Sequence, residues 1–169
     1  MILADKDKVE MEAEIRTKVP KLKNVKVICR RGQPIDLDDL AIVNPDEARA
    51  IIVLAQEGGD ADTHVLKTIL ALTNNPDRKA GRYHIVAELR DPKKQEVAKL
   101  IGGDELEIVL SSEVVTRLTV QTCFQSGLSI VYTELFDFAG DEIYLKTEPK
   151  LVGKTFGEAL LAYDTCAVI

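Results

Sequence analysis

The chain reads as an α/β protein built on a doubly wound, mainly parallel sheet, and three observations carry that reading. Short apolar runs alternate with amphipathic segments through the first two thirds of the 169 residues, in the order βαβαβαβαβα. The connections have the lengths of parallel crossovers rather than of hairpins. One run, AIIVLA at residues 50–55, is apolar without alternation, the pattern of a strand covered on both faces.

The elements follow in order. MILADKD opens the chain as if a strand had been entered midway: Leu3 and Ala4 end it and Asp5 follows. Residues 7–19 keep helical spacing, with Met11, Ile15 and Val19 on one side and Glu12–Arg16 and Glu14–Lys18 able to pair on another. VKVIC at 25–29 is β-rich, and RRGQP breaks it. Asp36 is placed to cap a short helix carrying Leu37, Leu40 and Ala41, which stops at Asn44-Pro45. After AIIVLA and the turn EGGD, residues 62–73 form a helix with Val65, Leu66, Ile69, Leu70 and Leu72 inward. HIVAEL at 84–89 repeats the strand pattern. Asp91-Pro92 is an N-cap followed by Pro at the first helical position, and Gly102-Gly103 ends that helix. LEIVL is the last strand, and Ser112-Glu113 starts a further helix.

Beyond it, helical spacing breaks at Gly127 and resumes as an apolar stripe of Leu128, Val131, Tyr132, Leu135 and Phe138. A helix after the last strand has no strand to return to. The stripe is therefore expected in the interface of a two-fold homodimer.

Composition narrows the function. A net charge of −6 and a pI near 5.0 exclude nucleic acid as the partner. No apolar run reaches the roughly 20 residues of a spanning helix, and the N-terminus lacks a signal-peptide pattern. The chain is expected to be a soluble piece. Cys29, Cys123 and Cys166 lack metal or disulfide spacing and read as buried thiols of a reducing compartment. His64 and His84 have no ligand partners at metal spacing, so both read as structural. GKT at 153–155 is a strand-to-helix turn rather than a phosphate loop, because Glu148 stands where the earlier Gly is required. No G-x-S-x-G elbow, Tyr-x-x-x-Lys pair or catalytic His is visible, which favours a non-enzymatic role.

Sheets of this class bind ligands at the carboxyl ends of their strands, near the switch in strand order. Those ends carry Asp5, Gln33, residues 56–60, and Glu88 with Arg90. An acid ending the second strand holds ribose hydroxyls in the dinucleotide-binding form, and Asp5 sits at such an end. That assignment puts the first strand and its phosphate loop upstream, and makes the chain an excerpt of a longer protein. In the order 3-2-1-4-5-6 the missing strand is central. Its neighbours are expected to pair directly, to separate, or to borrow a strand, with residues 50–110 the stable core. NAD or ATP is expected to bind the chain weakly or not at all.

ICRRGQPIDLDDLAIVNPDEARAIIVLA, followed by HIVAELRDPKKQEVAKLIGGDELEIVLSSEVVTRL, resembles the regulator of potassium conductance (RCK, or TrkA-N) domain. In detail it is most similar to the CASTOR/POLLUX group of ion channels. The resemblance covers residues 1–138 as a Rossmann-like lobe, with crossover helices at 112–138. DEIYLKTEPKLVGKTFGEALLAYDTCAVI resembles the start of a small α+β lobe, at 139–169. It implies a ligand-sensing domain on the cytoplasmic side of a potassium or cation channel, pairing into dimers of a gating ring that acts on the pore domain of the same channel. The ligand itself cannot be read, and a nucleotide such as NAD or ATP is one candidate for the full-length protein. Asp5 matches the family's ribose acid. Gln33 falls where many members carry an acid, and Asp36 matches an acid that follows, beside its plain reading as a cap. Glu88 matches one acid of a calcium site, but Arg90 and Leu54 replace its companions and argue against calcium there. A fragment of an NAD(P)-dependent oxidoreductase on the same sheet is the alternative.

Overall fold

A computed structural model describes residues 1–19, 25–56, 58–137, 143, 145–164 and 168. The chain divides into two compact units, Met1–Val120 and Gln121–Ile169.

The first unit holds five parallel strands in two sheets. β1 (Ile2–Ala4) pairs with β2 (Cys29–Arg31), Ile2 opposite Cys29. β3 (Ile51–Val53), β4 (Ile85–Leu89) and β5 (Leu106–Leu110) form the second sheet in that order, with Ile51 opposite Ile85 and Ile85 opposite Leu106. No ladder joins β1 to β3 among the described residues. The two sheets therefore do not pair directly with one another among the described residues.

Several helix ends fall where the sequence places them, although Asp91-Pro92 opens a 3₁₀ turn (Pro92–Lys94) ahead of its helix. Asp7 caps α1 (Lys8–Lys18), accepting the N–H groups of Val9 and Glu10 at 2.8 and 3.3 Å. α2 (Leu37–Val43) ends at Asn44, which adopts the left-handed conformation (φ 48°) that Asn tolerates better than most residues. Pro45 then prevents continuation. α3 (Ala61–Thr73) and α4 (Gln95–Gly102) follow β3 and β4.

One core unites the two sheets. Ile85, Ala87 and Leu89 of β4 are wholly buried against Val65, Ile69 and Leu72 of α3 and Ala98 of α4. Leu40 of α2 joins that cluster, and Leu3 of β1 packs on it. Because side chains alternate along a strand, Ile2 and its register partner Cys29 point to the other side, where α1 packs on β2 with Met11 buried. Helices therefore lie on both faces, as a doubly wound sheet requires. β2 and β1 stand on one side of the change of face, and β3, β4 and β5 on the other.

Five expectations need correction. VKVIC contributes only Cys29 to a strand, because β2 is fixed by its pairing with β1 and runs on through Arg31. AIIVLA is covered on one face alone: Val53 is buried, whereas Ile52 is 69% and Leu54 67% exposed. Leu70 of α3 faces outward, since the buried stripe is Val65, Ile69 and Leu72. On α1 the ion pairs are Lys8–Glu12 at 3.7 Å and Lys6–Glu14. The reading of the cysteines as buried thiols holds for Cys29 and fails for Cys123, which is exposed on a helix without a buried residue, and Cys166 lies outside the described residues.

The second unit contains α6 (Leu128–Phe136) and α7 (Phe156–Leu160). Thr155 caps α7 in a reciprocal capping box with Glu158, so GKT leads into a helix, but from a 3₁₀ turn (Pro149–Leu151) rather than from a strand. α5 (Ser111–Phe124) runs from the first unit into the second.

The core stabilises the first unit mainly through α3 on β4. Ile69→Ala is expected to cost about 2–5 kcal/mol in urea unfolding followed by circular dichroism. The amides of β3 facing β4 should exchange more slowly than residues 25–28, which lie outside any ladder.

Candidate functional site at the carboxyl ends of the strands

Within each sheet the strands are parallel, so β1 and β2 share one carboxyl-terminal edge and β3, β4 and β5 share another. At the β1–β2 end, Asp5 follows β1 and Arg31 ends β2. A carboxylate oxygen of Asp5 lies 3.9 Å from Arg31 Nε, with both side chains more than half exposed. Nothing else in the described structure engages Asp5, so the pair presents one acid and one guanidinium to solvent. Sequence reasoning found Asp5 but not Arg31, because the pairing exists only once the two strands are in register.

The turn after β2 is closed by its own carboxylates. Asp39 accepts the backbone N–H of Gln33 at 2.8 Å. A Cβ on Gly32 would sit 2.8 Å from the Asp39 carboxyl carbon and 2.9 Å from a Leu3 methyl, so any side chain there would push Asp39 or Leu3 aside. Asp36 accepts the N–H groups of Asp38 and Asp39 at 2.9 and 3.3 Å and is the N-cap of α2. Gln33 remains exposed.

The β3–β4–β5 end is tied more firmly. Glu88 of β4 accepts the N–H of Ala55, just past β3, at 3.1 Å. Asp62, in the first turn of α3 and 4% exposed, accepts the N–H groups of Arg90 and Asp91 at 3.0 and 2.8 Å. Ser112 donates its hydroxyl to the Arg90 carbonyl at 2.6 Å. Asp60 caps α3 and pairs with Lys94, whose ammonium, followed by the Thr63 hydroxyl, holds the Asp60 carboxyl down to about 2. Sequence reading started this helix at Asp62 and missed its role. The signal was a second acid directly behind the cap, on the face that turns inward.

The opposite edge is closed by a different set. Arg78 donates to the Thr73 carbonyl at 3.1 Å, to Gly81 at 2.8 Å, and to both oxygens of Glu105 at 3.0 Å. Its guanidinium also lies 4.2 Å from the Tyr83 ring centre. Burial, then the hydrogen bond to Asp46, pushes the Tyr83 hydroxyl up to about 12.

Chemically, these carboxylates position backbone. Among the described residues no three or more His, Cys, Asp or Glu side chains gather as metal ligands. A phosphate approaching the start of α3 would meet Asp60 and Asp62, which the helix dipole already serves. His64 and His84 are both exposed. Of the apolar stripe, Val131 and Leu135 are exposed on α6, Leu128 and Tyr132 are half-buried, and Phe138 lies outside the described residues.

Residues 112–169 match the family model described as Castor and Pollux, part of voltage-gated ion channel. Along 96% of its length the chain is 39% identical to a probable ion channel CASTOR of Oryza sativa subsp. japonica. It is 37% identical to the ion channel CASTOR of Lotus japonicus and 36% identical to a probable ion channel POLLUX of Arabidopsis thaliana, each again over 96% of the chain. It spans only 18%, 19% and 20% of the lengths of these three proteins. Among the described residues no helix is long and apolar enough to cross a membrane.

Asp62→Ala leaves the part-buried N–H groups of Arg90 and Asp91 without their acceptor and is expected to cost about 1–3 kcal/mol in denaturant unfolding. A depressed carboxyl favours the fold above its ordinary pKa of 3.8, and that share is lost as pH falls toward about 2. Asp60→Asn keeps the cap and removes the charge. Its stability should therefore fall less steeply than wild type across that acid window, as read by urea titrations at successive pH values.

Proposed function

The chain belongs with the CASTOR/POLLUX group of ion channels, to which it is similar along 96% of its length, and on that premise we propose that it is a ligand-sensing regulatory segment of a cation channel. In this reading residues 1–138 form an RCK-like lobe and 139–169 begin a smaller one. The segment lies on the cytoplasmic side, pairs with a second copy, and contributes to a gating ring that acts on the pore of the same channel. Its role is non-catalytic: the strand-end carboxylates are spent on backbone N–H groups, which suits positioning rather than proton transfer. A ligand would act by binding one arrangement of the paired segments better than another, shifting their populations. Asp5, with Arg31 beside it, is the residue we assign to the ribose of a nucleotide ligand, in a pocket whose phosphate-binding part none of the described turns supplies.

The observation that carries the reading is the outer surface of α5 and α6, within the region that matches the channel family. Neither helix has a buried residue. Phe124 is 80%, Ile130 73% and Phe136 66% exposed, with Val115 and Val131 at least half exposed. So much apolar surface on a protein of this size marks an interface. We assign it to a two-fold dimer in which Leu128, Val131, Tyr132, Leu135 and Phe138 take part.

Light scattering at tens of micromolar, the order of magnitude of a weak association, should give the mass of a dimer. Leu135→Glu should give a monomer whose circular dichroism is that of the parent. A monomeric parent would remove the support for the paired arrangement.

A further inference from the structure

We propose that the groove between α2 and α3 is a binding site for a small aliphatic monocarboxylate. The groove has a volume of about 370 Å³ and is lined by Ile35, Leu37, Lys67, Leu70, Ala71 and Asn74. That size falls at the lower end of small-ligand clefts, which run from roughly 300 to 1,000 Å³. The residues from α3 and its C-cap stand at 67, 70, 71 and 74, one helical stripe about 10 Å long. Ala71 packs against the core and ends at a methyl group, which leaves a depression flanked by the longer Leu37 and Leu70. Both leucines are exposed, so the fold leaves this apolar surface unused.

The lining selects the ligand. Lys67 supplies its one charge, and the ammonium is exposed and pairs with no carboxylate among the described residues. A lysine at such a rim lays its methylene stem along the apolar wall and keeps its charge at the mouth. An anion with an apolar body therefore satisfies both parts at once. One ammonium suits a carboxylate, whereas a phosphate calls for more donors than the lining holds. A chain of about eight carbons matches the length of the stripe, with Asn74 at its far end. Four aliphatic side chains are too few to anchor a protein, since a specific interface buries about 800 Å² on each partner. The net charge of −6 disfavours an anionic membrane surface as the source. The ligand is thus a free amphiphile in solution.

The experiment titrates the isotopically labelled chain with sodium octanoate and follows amide shifts by nuclear magnetic resonance. Saturable shifts should centre on residues 35–37 and 67–74, with a dissociation constant on the order of 1 mM. Acetate, with the same charge and no chain, should give no saturable shift. Octylammonium, with the same chain and the opposite charge, should bind more weakly than octanoate. Lys67→Gln should weaken octanoate about two- to five-fold, the range of an exposed ion pair, and erase the preference over octylammonium. Leu70→Asn, at an exposed position, should abolish the saturable shifts while the β4 amides keep their resonances. Absence of saturation with octanoate overturns the proposal, as does octylammonium binding equally well or a Lys67→Gln chain that keeps the parent's preference. Shifts that centre on α6 also overturn it, because the amphiphile would then be covering the exposed helical stripe.

Discussion

The first unit depends on β4, the one described strand with a ladder on both sides. Its inward residues Ile85, Ala87 and Leu89 are fully buried, and every helix of the second sheet is placed by contact with them. A parallel strand in this position cannot be closed by a hairpin, so its ends must be satisfied by side chains. Glu88 and Asp62 do that at the carboxyl end. Their carboxylates serve main-chain N–H groups that would otherwise be left unbonded where the strands give way to loops. The residues that look most like ligands are thus part of how the sheet stops.

Much of the architecture was legible in the sequence, and the reasons are local. The 3.6-residue rhythm of α3 places Val65, Ile69 and Leu72 inward whatever surrounds the helix. Asp7, Asp36 and Asp91 cap the turns they precede because the acceptor and its N–H groups lie within three residues of one another. β2 was misplaced for the opposite reason. VKVIC has the higher β-propensity, yet pairing with β1 selects Cys29–Arg31, and a partner far along the chain leaves no trace in a short window. The exposure of Ile52 and Leu54 was equally hidden, because a continuous apolar run does not say whether a second layer arrives.

The candidate site divides in the same way. Asp36 as a cap could be read, and Asp5 could be placed at a strand end by counting elements. The partners could not. Arg31 meets Asp5 across a ladder, Ala55 meets Glu88 across 33 residues, and Asp62 meets Asp91 across 29. None of these spacings is periodic. The regional likeness to CASTOR and POLLUX tells which protein group the chain resembles, and the geometry tells which of its acids are already engaged.

Arg78 adds a mechanical consequence. It joins the end of α3, the loop before β4 and the start of β5 by donating to two carbonyls and, from Nη2, to both oxygens of Glu105, with Tyr83 stacked beneath. The three-stranded sheet and α3 are therefore fastened at both extremities, by a cation at one and by carboxylates at the other. Clamped this way, the block resists bending and shear between its strands. A force arriving at any one strand end is carried across the whole block, which moves as a stiff plate rather than deforming locally.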